Sequence, residues 1–295
     1  MRKISWHIYK FLANISVIII SKIPFGNNII SWLRQRLTLL IRITIPNPVQ
    51  VNGNKLYWNS NNSTWAVDMS LGKYEPYTTR LVQNMLKPGM VAVDVGANIG
   101  YYTIIFARQV GSQGKVYAFE PQMTNCEVLS KSINANGFDS TVTLVQKAVS
   151  NVNGNNQLFL SVPGSGQASL YKSAETGKNS ITIDTITMDS YFVKEGWPEI
   201  SLIKIDVEGA EILALEGAKE LITRNPDLKL IMEFGPEVMA ASGVNSEALF
   251  NTLVGVGFKK FSQIEEELLP VNISGDISHV VRVRKGGCVN LLCEK

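Results

Sequence analysis

With 295 residues, 45% of them hydrophobic and 18% charged, the chain can bury one large core, which excludes a disordered or fibrous polymer. Three cysteines without a C-x-x-C spacing and only two histidines argue against a disulfide framework and against a zinc or histidine-rich centre, so no metal is assigned, a divalent ion on clustered carboxylates stays open, and a reducing, cytoplasmic setting is expected. The net charge of +3 is uneven: eight basic residues and no acidic one precede Asp68, so the remainder carries a net −5, which speaks against a nucleic-acid partner.

Residues 1–45 form a basic, apolar extension. Their longest uncharged run, FLANISVIIIS at residues 11–21, is short of the ~20 residues that cross a bilayer, and residues 21–26 hold no A-x-A-like cleavage site. Two readings stay open for ISWHIYKFLANISVIII and NIISWLRQRLTLLIR. One is a pair of in-plane helices in peripheral contact with the inner face of a membrane, their basic residues on anionic headgroups. The other is a pair of amphipathic helices packed on the rest of the protein. Residues 1–70 are read as this extension plus a small β-hairpin, because Asn52-Gly53 favours a type I′ turn between short apolar runs. Residues 71–295 are read as the main domain.

Residues 74–86 are expected to be helical and to stop before Pro88-Gly89. The run VAVDVGANIG at 91–100 reads as a strand, a tight turn and the start of the helix YYTIIFARQV. Gly96 and Gly100 permit positive φ and let a ligand approach the backbone, while the first helical N–H groups stay unpaired. A pyrophosphate on that helix start would be repelled by Asp94, and the second and third glycines of G-x-G-x-x-G are not in register. A cationic, phosphate-free nucleoside suits the turn, and S-adenosyl-L-methionine is the commonest. The next strand, KVYAFEP, ends at Glu120, where a carboxylate can accept ribose hydroxyls, so Asp94 and Glu120 make a two-carboxylate nucleoside clamp.

Beyond Pro121, NCEVLSKSINAN reads as a helix and VTLVQKAVS as the third strand. Residues 154–187 are extra material, in which QLFLSV and SITIDTITM alternate as strands do. ISLIKIDVEGAEILALEGAKELI is a strand followed by a helix face at Ile212, Leu213, Leu215, Ala218, Leu221 and Ile222. Lys204 and Asp206 share a strand face, and Asp206 and Glu208 fall at the strand's C-terminal end, where open α/β sheets bind ligands. Glu211 reads as a first-turn acid that favours the helix N-terminus. LKLIMEF is a further strand with Glu233 near the crevice, SEALFNTLVGVGF a helix and turn, and HVVRVR with CVNLLCEK a closing antiparallel edge strand or hairpin.

The runs DVGANIG, AFEP and KIDVEGAE, in this order and spacing, resemble the FkbM-type methyltransferases, a branch of the class I S-adenosylmethionine-dependent enzymes, from about residue 74 to the C-terminal NLLCEK. The resemblance implies an α/β fold: a Rossmann-like, seven-stranded mixed sheet with helices on both faces. To Asp94, Gly96, Ala97, Asn98, Gly100, Glu120 and Pro121 it adds Glu75 at the cofactor mouth and Lys147 and Ala148 at the third strand end, where this fold meets adenine. Gly166 and Ser169 are implied beside the acceptor. That acceptor is implied to be a hydroxyl of a sugar, a glycan or a secondary metabolite.

In-line transfer to a hydroxyl needs an oriented acceptor and a base for its proton. Asp206 is assigned as that base, Glu208 as the residue that orients or substitutes for it, and Lys204 as their counter-charge. The competing function class is a catalytically silent, membrane-associated nucleoside-binding or scaffold protein with the same fold.

Overall fold

The computed structural model describes residues 45–59, 62–161, 168–171, 176–241, 243, 245–273 and 287–295. The expectations for residues 1–44, Gly166 and HVVRVR lie outside the described residues. Among those described, no helix is long and apolar enough to cross a membrane.

The described chain enters through a hairpin of β1 (Val49–Val51) and β2 (Asn54–Leu56), turned by Asn52 and Gly53 at φ 48° and 80°, as an Asn-Gly type I′ turn requires. Helix α1 (Ser63–Ser70), unexpected from the sequence, and helix α2 (Pro76–Met85), with proline in its first turn, follow. Then come β3 (Val91–Val95), α3 (Tyr101–Val110), β4 (Lys115–Phe119), α4 (Met123–Asn136) and β5 (Val142–Val145). The extra material forms a separate sheet from β6 (Ala148–Val149), β7 (Gly154–Ser161), β8 (Ala168–Ser169) and β9 (Thr176–Ile186), in the order β6-β9-β7-β8. The rest comprises α5 (Met188–Phe192), β10 (Leu202–Ile205), α6 (Glu211–Glu216), α7 (Lys219–Arg224), β11 (Lys229–Phe234), α8 (Pro236–Ala241), α9 (Ser246–Gly255), β12 (Lys260–Ile264), β13 (Leu268–Pro270) and β14 (Val289–Glu294).

The main sheet runs β13-β12-β14-β11-β10-β3-β4-β5. Strands β5, β4, β3, β10 and β11 are parallel, and β14 inserts antiparallel between β11 and β12. This is the doubly wound mixed sheet implied by the resemblance, with one strand more than expected: β13 folds back onto β12 at the edge. The C-terminal strand is interior, not at the edge. Leu291, Leu292 and Cys293 are almost fully buried, and an apolar strand of this kind is stabilised by pairing on both sides. The helix expected around residues 212–222 is split into α6 and α7 at Gly217, where a Cβ would come within 2.1 Å of the Ser150 carbonyl oxygen.

Alternation along the strands assigns each residue to one of two cores. Ala92, Leu202, Ile231 and Leu292 pack on one face with Ile105 of α3 and with Val49 and Leu56 of the hairpin. Val93, Ile203, Leu230 and Leu291 pack on the other with Leu215 and Phe250. Period two then puts Asp94 and Lys204, which are partners in register, on the hairpin face. Glu233 and Asn290, partners in register between β11 and β14, lie on that same face. A polar row therefore crosses four strands at the C-terminal end of an otherwise apolar surface. It spans the switch point, where β4 leaves β3 on one side and β10 joins it on the other.

Candidate active site

A cavity of about 320 Å³ opens at that switch point. Glu75, Asp94, Gly96, Ala97, Asn98, Glu120, Pro121, Ala148, Lys204, Asp206 and Glu208 all line it, so most of the residues picked from the sequence meet in one place. Gly100 and Lys147 do not. Gly100 sits at φ 93°, and a Cβ there would lie 2.2 Å from Leu129 Cδ1, so it lets α3 start against α4 and does not face a ligand. The Lys147 ammonium turns to the surface, 3.3 Å from Asp184. Gly100→Ala is expected to cost ~1–3 kcal/mol through overpacking and backbone strain, read as a lower urea midpoint. An unchanged midpoint would remove that reason for the glycine.

The turn after β3 is built around Glu120. The Gly96 and Ala97 amides donate to the Phe119 carbonyl at 3.0 and 2.9 Å, which ties the turn to the end of β4. Asn98, in the left-handed region at φ 50°, donates its own amide to Glu120 Oε2 at 2.9 Å. Glu120 Oε1 accepts from the Gln122 amide at 2.9 Å and from Asn125 Nδ2 at 3.2 Å. Three of a carboxylate's roughly four acceptor positions are thus used, which leaves about one for a ribose hydroxyl instead of the two expected. Burial pushes the Glu120 carboxyl up to about 7 despite these bonds.

Lys204 is the charge centre. Its residue is 1% exposed, its ammonium lies 2.7 Å from Asp206 Oδ2, and it sits 4.6 Å from the Tyr102 ring centroid. Burial works against that ammonium, but the charges of Asp206, Glu75 and Asp94 overrule it and raise its pKa. Beside it Asp94 is buried and accepts the Thr103 hydroxyl at 2.5 Å. Burial drives Asp94 up to about 6, against the lowering pull of Lys204. Burial, followed by the charges of Asp206, Glu208 and Glu211, also pushes the Glu233 carboxyl well above the usual carboxylate range.

The loop after β10 presents two acids. Asp206 Oδ2 holds Lys204, and Oδ1 has no hydrogen bond among the described residues. Glu208 sits at φ 52°, a left-handed conformation rare for such a side chain, and Ser169 Oγ donates to its carbonyl at 2.6 Å. Glu211, at the first position of α6, folds back on the same loop and accepts from the Gly209 and Val207 amides at 3.1 and 3.3 Å, a role beyond the helix-start reading. The close approach of Gly96 to the Asp206 carbonyl, where a Cβ would be 1.9 Å away, fixes the two motif loops against each other.

Sequence reasoning missed several lining residues, among them Tyr102, Gln122 and Asn125. Trp65 and Met69 bring α1 to the wall, a helix signalled only by the apolar Trp65, Ala66 and Met69 spacing. Leu158, Ala168 and Leu170 come from the second sheet and give the cavity an apolar side with Phe119 and Val149. Glu233, noted only as near the crevice, lines the cavity, and one carboxylate oxygen each from Asp206, Glu208 and Glu233 lies within 4.8 Å of the others.

Against known proteins, the model of the family described as Methyltransferase FkbM domain matches residues 94–259, more than half of the chain. The chain belongs to the FkbM methyltransferase family. The match begins at Asp94 and takes in the Glu120 turn, the Lys204 to Glu211 segment and Glu233. Methyltransferase sdnD of Sordaria araneosa is 31% identical over an alignment of 156 residues that covers 43% of this chain and 60% of that protein, so the chain spans less than two thirds of that relative's length. Solved structures similar to the chain include an S-adenosylmethionine-dependent O-methyltransferase from Thermotoga maritima, with TM-score 0.44 and 14% identity, covering 88% of this chain and 81% of that one. Another is fibrillarin from Aeropyrum pernix with bound S-adenosyl-L-methionine, with TM-score 0.40 and 9% identity, covering 74% of each chain.

Proposed function

We propose that the protein binds S-adenosyl-L-methionine and transfers its methyl group to a hydroxyl of a sugar, a glycan or a secondary metabolite. The observation that carries this reading is the charge of the cavity: Glu75, Asp94, Glu120, Asp206, Glu208 and Glu233 line it, against Lys204 as the one cation among the described lining residues. Such a set of acidic acceptors fits a sulfonium and an ammonium and disfavours a pyrophosphate. Glu120 would hold a ribose hydroxyl, the Phe119, Val149 and Leu158 side would cover the base, and Glu75 and Asp94 would face the cationic end.

The bound cofactor supplies an electrophilic methyl group; the protein's part is to orient the acceptor, exclude water and take one proton. Asp206 Oδ1 would accept that proton, a reading supported by the bond of Lys204 to the other oxygen, which restrains the carboxylate. Glu208, held by its strained backbone and by Ser169, orients the acceptor. The acceptor is a small molecule or a glycan and not a nucleic acid, and the basic residues 1–45 would bring the enzyme to the inner face of a membrane, with the catalytic part in the cytoplasm. Lys147 is left out of the cofactor site.

Isothermal titration with S-adenosylmethionine, S-adenosylhomocysteine and NAD tests the reading. Micromolar binding of the two sulfur nucleosides without NAD is expected, and no binding by folded protein would favour the silent scaffold. The pH dependence is a sharper check. Asp94 and Glu120 are raised to about 6 and 7, so affinity is expected to fall several-fold from pH 8 to pH 6 as they take up protons. Stability of the free protein should move the other way. These carboxyls bind protons more tightly folded than unfolded, so their contribution is largest below the unfolded values and is lost as pH rises through 6 to 7. Parallel trends in affinity and melting temperature would contradict the assignment.

A further inference from the structure

The geometry points to Asn290 as a positioning residue that acts through Glu75, a role that rests on the methyltransferase reading above. Asn290 lies on β14, at the far end of the chain, and its Nδ2 donates to Glu75 Oε2 at 2.7 Å and to Thr78 Oγ1 at 3.1 Å. The same Glu75 oxygen accepts the Tyr102 hydroxyl at 2.5 Å. Two donors thus converge on one oxygen of a cavity-lining carboxylate, and the other oxygen, Oε1, has no hydrogen bond among the described residues. Converging on Oε2 in this way leaves Oε1 as the oxygen available to a ligand in the cavity.

Two further observations separate this arrangement from ordinary packing. Glu75 caps α2 in the left-handed region at φ 39°, with no side-chain capping bond to the helix, so the strained residue is held by contacts other than a cap. Such strain persists only where the surroundings over-determine it. Asn290 Oδ1 is buried without a hydrogen-bond partner among the described residues. A buried acceptor left unpaired is a cost to the fold. Asparagine is kept there for what its amide N–H groups do, and they reach Glu75 and the turn that follows it.

The consequence is a split between stability and binding. Asn290→Leu, close in volume, loses the bonds to Glu75 and Thr78 but also removes the unpaired Oδ1, a gain that offsets much of that loss while Tyr102 still holds Glu75 Oε2. The melting temperature is therefore expected to stay within a few degrees of wild type, while affinity for S-adenosylmethionine falls about tenfold, the effect of one hydrogen bond to a charged group. Asn290→Asp sets a second carboxylate against Glu75 and should bind as weakly as the leucine variant or worse.

The deciding experiment is a double-mutant cycle on the full chain, titrating S-adenosylmethionine into wild type, Asn290→Leu, Glu75→Gln and the double variant, with a thermal melt of each. If Asn290 acts through Glu75, the double variant binds no more weakly than Glu75→Gln alone, because the second change removes a donor whose acceptor is already altered. Additive losses, or full affinity in Asn290→Leu, would overturn the proposal while leaving the cofactor assignment intact. Failure of wild type to bind would overturn both. A large drop in melting temperature matched by an equal loss of binding in all variants would mark Asn290 as structural only.

Discussion

Asp206→Asn is expected to lower kcat by about 10²- to 10⁴-fold, the usual range for loss of a positioned general base, with cofactor affinity changed only a few-fold. The amide keeps the shape of the side chain but cannot take a proton from an acceptor hydroxyl. It still offers an oxygen to the Lys204 ammonium, now at 2.7 Å from Oδ2, so the loop after β10 should keep its course against Gly96. Binding and chemistry are therefore separable at this position. Titration of the cofactor together with single-turnover methyl transfer to a screened hydroxylated acceptor would measure the two. Turnover within tenfold of wild type would move the base elsewhere, and Glu208 would be next to test.

The largest effect on stability is expected from Lys204→Met. The methionine fills much of the same space and keeps an apolar contact with the Tyr102 ring, but it removes the cation between Asp94 and Asp206. Breaking a buried pair by deleting one partner costs ~3–5 kcal/mol; Asp206 keeps 22% of its side chain exposed, so the low end of that range is expected. For a domain of this size that is roughly 10 °C in Tm. The loss should depend on pH in a defined direction. Lys204 holds the Asp94 pKa down against burial, so its removal lets Asp94 climb above about 6 and protonate near neutrality. Because the folded pKa then lies further above the unfolded one, the variant's deficit is greater at pH 8 than at pH 5.5. A deficit independent of pH between those values would mean that Lys204 contributes packing and not charge.

Much of the site was readable because it is written in short runs. DVGANIG combines a buried strand, a turn that needs positive φ and a helix start, each with its own local signature, and the structure gives Gly96 φ 82° and Gly100 φ 93°. The acids at strand ends were located by the same logic: Asp94, Glu120, Asp206 and Glu208 stand where parallel strands stop, and all four line the cavity. The period-two pairing of Lys204 with Asp206 came out as a 2.7 Å contact.

Other parts had no local signature. Gly100 looks like a ligand glycine from its spacing, yet the reason for it is Leu129, a residue on the next helix. Lys147 follows a strand expected to reach the base, but the chain turns there into a second sheet and its ammonium finds Asp184. The C-terminal strand has the apolar alternation of an edge or an interior strand alike, and only pairing with both β11 and β12 decides which. Glu75 and Asn290 are 215 residues apart, and no periodicity connects them.

By itself, then, the sequence determined the α/β class, the glycine turn, the acids at the strand ends and the family, because each depends on a few adjacent residues with fixed backbone preferences. The tertiary structure alone decided which of those residues face the cavity and which serve packing. It also decided that α1 and the second sheet complete the wall, and that β14 brings Asn290 to Glu75. Those outcomes depend on which surfaces are buried together, a property of the whole folded chain that no short stretch of it contains.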